Sequence, residues 1–127
     1  MSMIKDDLKY TKFDEWVKIE EDIAIVGITD YAQKHLGDIV FVEIKEQGET
    51  VQKGEVLTSI ESVKSASDIY APLSGEIVEM NQDLENDAGL VNQDPFGKGW
   101  IAKIKLSNPE EINELMDSEA YTTFRQD

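Results

Sequence analysis

Short runs of β-branched and other apolar residues, each closed within a few positions by a turn signal, constrain this chain more than any other feature. Strands are predicted at 10–13, 16–20, 23–28, 38–44, 56–60, 68–70, 75–80 and 101–106. Asp14-Glu15, Gln47-Gly48 and Lys53-Gly54 read as turns between them, and Ala71-Pro72-Leu73-Ser74-Gly75 as a turn and restart. Thr29 can cap a short helix over 30–36, with Gly37 to close it. Asn108-Pro109-Glu110-Glu111 opens a helix to about residue 116, and Ser118 can cap a last one over 119–126. Many short strands at close spacing, followed by helices, specify an antiparallel β domain with helical trim rather than a βαβ fold. At 127 residues a single domain, 1–127, is expected.

The charge and the inventory of reactive side chains narrow the function. There are 27 acidic and 12 basic residues, a net charge of −15. Such a chain repels nucleic-acid phosphates. Acidity keeps a protein soluble, and it also suits transient docking on more basic partners. With no cysteine there is no disulfide framework, thiolate site or cysteine nucleophile. His35 is the one histidine, and no Gly-rich phosphate loop follows a strand. A lone histidine among scattered acids is a poor metal site, so no metal and no catalytic residue is expected. No apolar stretch is long enough to cross a membrane, and the N-terminal residues lack a signal pattern. The cytoplasm is the expected compartment. The chain looks like something on which other enzymes act.

One lysine stands apart from the other ten. Glu61-Ser62-Val63-Lys64-Ser65-Ala66-Ser67-Asp68 lies between two predicted strands, which puts Lys64 at a hairpin tip. Strands that the lysine does not stabilise hold its amine out in water, and Ser62, Ser65 and Ser67 leave room for a modifying enzyme. That is a setting for covalent attachment of a cofactor. A weak internal repeat frames it: Gly37-Asp38-Ile39-Val40 and Gly75-Glu76-Ile77-Val78 share the pattern Gly-acid-Ile-Val, with Lys64 between the copies. The arrangement fits two similar halves joined by the lysine hairpin.

Several blocks in order then resemble the H-protein family of the glycine cleavage system. They are Val26-Gly27-Ile28-Thr29-Asp30-Tyr31-Ala32-Gln33, Leu36-Gly37-Asp38-Ile39-Val40-Phe41-Val42-Glu43, Glu61-Ser62-Val63-Lys64 with Ser67-Asp68, and the set Leu90, Asn92, Pro95, Gly99, Trp100. The resemblance implies a mainly β fold, the flattened lipoyl/biotinyl-type β-barrel (barrel-sandwich hybrid), with a short helix after the N-terminal strands and helices at the C-terminus. It implies lipoate in amide linkage to Lys64. It further implies a monomeric, non-catalytic shuttle. Such a shuttle takes an aminomethyl group from pyridoxal-phosphate glycine decarboxylase to a tetrahydrofolate-dependent aminomethyltransferase. Dihydrolipoamide dehydrogenase then reoxidises it, and lipoate-attaching enzymes modify it beforehand. Two positions depart from the family's pattern: Asp14 stands where the family commonly has histidine, and Ser65 where it has alanine.

The tip Val63-Lys64-Ser65 fits neither the Asp-Lys-Ala of 2-oxoacid dehydrogenase lipoyl domains nor the Met-Lys-Met of biotin carriers. A relay passing lipoyl or octanoyl groups to other carriers is an alternative role, as is a regulatory module outside glycine cleavage. Glu15, His35 and Asp68 are the candidates for a cleft that receives the loaded arm, weighed against plain solvation, and for His35 against a favourable place at a helix end. Trp16 and Trp100 read as core anchors, and Gly27, Gly37, Gly75 and Gly99 as turn glycines.

Overall fold

The computed structural model describes residues 2–125. Its strands are β1 (Lys9–Tyr10), β2 (Glu15–Glu20), β3 (Ile23–Ile28), β4 (Ile39–Val42), β5 (Thr50–Val51), β6 (Val56–Ser62), β7 (Ala66–Tyr70), β8 (Gly75–Met80) and β9 (Ala102–Leu106). Helices α1 (Asp30–Leu36), α2 (Leu90–Gln93) and α3 (Ser118–Phe124) join 3₁₀ turns at Gln82–Glu85 and Pro109–Glu114. Every pairing is antiparallel: one sheet runs β1-β2-β3-β9-β8-β5 and the other β4-β6-β7. The mainly β expectation holds, as two sheets rather than one closed ladder. The two repeat copies begin β4 and β8, one in each sheet, while the lysine hairpin β6–β7 belongs wholly to the sheet of β4.

The main apolar cluster draws from both sheets, with Val26, Ile77 and Ile104 from one and Val42, Leu57, Ile60 and Ile69 from the other. Alternation along short strands sends these side chains to a shared interior and leaves the strands' acids outside, Glu15 excepted. A second cluster of Leu8, Tyr10, Trp16 and Tyr121 joins the first strands to the last helix. There Tyr10 and Tyr121 stack with ring centroids 4.5 Å apart. The backbone of Tyr10 also exchanges two hydrogen bonds with Met116.

Several local expectations change. Residues 11–14 form a turn rather than a strand, with Asp14 N–H donating to Thr11 O (3.1 Å) and Asp14 at φ 70°. Glu15 is therefore the first residue of β2. Asn108 makes no side-chain cap, and the segment after it is 3₁₀. Asp117, not Ser118, caps α3, accepting from Ala120 N–H at 2.8 Å. The expected extension of that helix to residue 126 lies outside the described residues. Thr29 caps α1 and Gly37 closes it, as expected. Gly27 is no turn glycine. It lies inside β3 beneath the Trp16 indole, where a Cβ would come within 2.6 Å of the ring. Gly75 likewise begins β8 against the Lys105 carbonyl. Trp16 is buried and donates its indole N–H to Pro95 O (2.9 Å), whereas Trp100 is partly exposed with the Lys103 amine 5.0 Å from its ring centre.

Candidate functional site

The hairpin β6–β7 presents Lys64 in the middle of a three-residue loop, 63–65. Pairing runs from Val56↔Tyr70 at the base to Glu61↔Ala66 below the tip. Short hairpin loops favour turns with a residue at positive φ, because those match strand twist. None of Val63, Lys64 and Ser65 has positive φ. Serine chemistry closes the loop instead. The Ser62 hydroxyl accepts from Lys64 N–H (3.2 Å) and Ser65 N–H (3.1 Å), and donates to Ser65 O (3.1 Å). Val63 N–H leaves the hairpin altogether and donates to Asp38 O in the α1–β4 turn (2.9 Å). The tip is thus tied to a second element while its side chains stay in water, Val63 being 67% exposed.

Lys64 lies over Gly37. A Cβ placed on that glycine would stand 3.0 Å from Lys64 Cε and 3.8 Å from Nζ. Gly37 adopts φ 82°, the left-handed region that glycine enters without strain. The bare backbone therefore serves both as the helix terminus and as the bed for the lysine stem. Among the described residues no carboxylate lies within ion-pair distance of the Lys64 amine. An exposed primary amine with a supported stem and no ionic partner fits a carboxylic cofactor joined through an amide. That linkage removes the charge, and here it breaks no existing bridge.

The remaining candidates are spread along the hairpin and α1. His35 is exposed on α1, two residues before Gly37, with Nδ1 3.0 Å from the Tyr31 carbonyl and its ring 4.0 Å from the Tyr31 ring. Asp68 is exposed at mid-strand and accepts from the Ser59 hydroxyl (3.0 Å). It lines a shallow groove with Phe41, Glu43 and Glu61, which contains neither Glu15 nor His35.

Glu15 corrects the expectation of a solvated turn residue, for it is 1% exposed. Its carboxylate accepts from the Thr11 hydroxyl (2.6 Å) and from Tyr70 N–H (3.3 Å), which puts it at the hairpin base, opposite the lysine tip. Burial raises its pKa to about 7, against the lowering effect of those two hydrogen bonds. A residue in a predicted turn gave no sign of this, because the burial comes from β2, β7 and the 11–14 turn closing around it.

The chain matches the family described as Glycine cleavage H-protein over residues 8–127. The glycine cleavage system H protein of Xanthobacter autotrophicus is 56% identical over 117 residues, covering 92% of this chain and 94% of that protein. That of Thermotoga maritima is 53% identical over 116 residues, covering 91% and 94%. The crystal structure of a glycine cleavage system H protein from Mycobacterium marinum superposes with a TM-score of 0.87 at 37% identity, covering 94% of this chain and 97% of that one.

Proposed function

We propose a residue-level reading from one premise: this chain belongs to the glycine cleavage H-protein family, and its role is that of a lipoyl carrier in glycine cleavage. In this reading Lys64 is the attachment lysine. The observation that carries it is the Lys64 amine itself, exposed on a serine-closed tip, its stem supported by Gly37 and its charge unpaired among the described residues. Bound lipoate would supply the disulfide that takes up the one-carbon unit and the electrons. The protein supplies attachment, location and a raised effective concentration at each docked active site.

Residues 1–127 act as one monomeric, non-catalytic carrier unit in the cytoplasm. The partners are pyridoxal-phosphate glycine decarboxylase, the tetrahydrofolate-dependent aminomethyltransferase, dihydrolipoamide dehydrogenase and the lipoate-attaching enzymes. The acidic surface suits brief contacts with each in turn.

Glu15, His35 and Asp68 are the residues offered to the cargo end of the arm. Glu15 has the strongest claim of the three. A buried carboxyl with a pKa near 7 is poised to ionise when a cation comes against it, and an amine cargo is such a cation. His35 and Asp68 are exposed and already hold Tyr31 and Ser59.

The test is co-expression with a lipoate ligase, followed by intact mass and peptide mapping, then glycine–bicarbonate exchange with the decarboxylase. One lipoyl group on Lys64 and exchange activity dependent on it are expected. Modification of another lysine would overturn the assignment.

A further inference from the structure

The tip does not orient itself. Its loop lacks the positive-φ geometry that aligns tight hairpins, and its one long-range hydrogen bond runs to Asp38. The lysine stem rests on a glycine, the residue with most backbone freedom to lose. The direction of the amine therefore depends on what holds residues 37–39.

Besides the Gly37 N–H bond to Gln33 O and the pairing of Ile39 with Ser62, one side chain holds them. Asn92, on α2, accepts from Ile39 N–H through Oδ1 (2.8 Å) and donates through Nδ2 to Gly37 O (2.9 Å) and to Gln33 Oε1 (3.0 Å). Both amide protons and one acceptor site are used, which is a large share of what a carboxamide can make. The three bonds grip the last turn of α1, the glycine beneath the lysine stem and the first residue of β4. They bracket Asp38, whose carbonyl takes the Val63 N–H. Asn92 itself is fixed from below, because Gly99 lets the backbone of α2 approach: a Cβ there would meet Leu90 O at 2.6 Å and Val91 Cα at 2.8 Å.

We propose that Asn92 is the positioning residue for the attachment lysine, its carboxamide holding residues 37–39 as the seat of the Lys64 tip and stem. It touches neither cofactor nor cargo and acts through Gly37 and Asp38. The proposal rests on Lys64 being the attachment site.

The experiment uses the full chain with Asn92→Ala and Asn92→Asp. The second keeps size and the acceptor for Ile39 while removing the two donated bonds, so it guards against a fold lost to the first. Three quantities are read: amide hydrogen exchange at Val63, Ile39 and Ala71, kcat/KM for lipoate ligase, and acylation of Lys64 by N-hydroxysuccinimidyl acetate. Ala71 N–H bonds to Glu55 O at the hairpin base and reports on the hairpin as a whole.

Loss of the clamp should speed Val63 exchange by about tenfold in both variants, the effect of one ordinary hydrogen bond. Ile39 should follow only in Asn92→Ala, and Ala71 should not follow in either. Enzymatic lipoylation should slow by a similar factor, while the small reagent acylates Lys64 as before. Acceleration of all three amides together would mean a merely structural residue and overturn the proposal. So would unchanged Val63 exchange, or normal lipoylation kinetics in both variants. Wild-type lipoylation at another lysine would overturn the attachment reading, and this proposal with it.

Discussion

The end of the Lys64 side chain lies over the backbone of Gly37, so close that a methyl group at residue 37 would stand 3.0 Å from Cε. Gly37→Ala therefore combines two penalties, a left-handed backbone carrying a side chain and a displaced lysine stem. A loss of about 1–2 kcal/mol is expected in thermal or urea denaturation. Lipoylation of the folded fraction should slow as well. Full stability with unchanged lipoylation would show that residue 37 is no support.

Lys64→Arg separates presentation from folding. The amine makes no ion pair among the described residues, so stability should stay within roughly 0.5 kcal/mol of wild type. Mass spectrometry after co-expression with ligase should find no lipoyl group. A large fall in Tm would mean that the lysine supports the fold.

Glu15 makes a signed pH prediction. Its carboxyl is raised to about 7 in the folded protein, so the folded state holds a proton that the unfolded chain has released. The stability that this group contributes is fully present below the unfolded pKa near 4.5 and is lost as pH rises through 7. Glu15→Gln, which resembles the protonated acid, removes that loss. The variant's stability relative to wild type should climb between pH 4.5 and 7, by at most about 3 kcal/mol, and then level off. Denaturation of both proteins across this range checks it, and a flat difference would deny the raised pKa. With cargo loaded and no acceptor enzyme, formaldehyde release should be faster in Glu15→Gln than in wild type, with a smaller change in Asp68→Asn.

The two tryptophans should behave differently. Trp16→Ala empties a buried site over Gly27 and leaves Pro95 O without its donor, so a cost of about 3–5 kcal/mol is expected. Trp100 is partly exposed and packs only along the rim of the second cluster, so Trp100→Ala should cost clearly less. Equilibrium denaturation of both variants at one pH decides this, and equal losses would contradict the burial difference.

Partner binding should weaken with salt. A carrier with net charge −15 meets partners through exposed charges, and these are screened beyond about 10 Å at 0.1 M. The apparent KM for this protein in the decarboxylase reaction should rise across an ionic-strength series. A constant KM would assign the acidity to solubility.

Local chemistry explains what was legible in advance. The strand over 75–80 and the Thr29 and Gly37 caps of α1 follow from propensity and capping residues that act within a few positions. The presented lysine was legible because a hairpin tip is a local feature. Glu15 was not, since its burial depends on Tyr70, 55 residues away. Asn92 could be picked out only as part of a motif; its partners Gln33, Gly37 and Ile39 lie 53 to 59 residues away in sequence. The turn at 11–14 defeated strand periodicity because Asp14 accepted a positive φ, secured by Arg125 and Tyr121 on its carboxylate.

Those last contacts bear on how the molecule is made. Tyr121 donates to Asp14 and lies 2.9 Å from the Thr29 hydroxyl at the cap of α1, and Arg125 pairs with Asp14. A growing polypeptide emerges from its N-terminus, so the main cluster, which draws its buried side chains from residues 17–104, can form first. Trp16 then already packs on Gly27 and Phe96, whereas the face of Tyr10 that stacks on Tyr121 must wait, exposed, until that residue arrives to cover it. A released chain that ended shortly before residue 121 would have its lysine hairpin built and Tyr10 uncovered, a species prone to chaperone capture or aggregation.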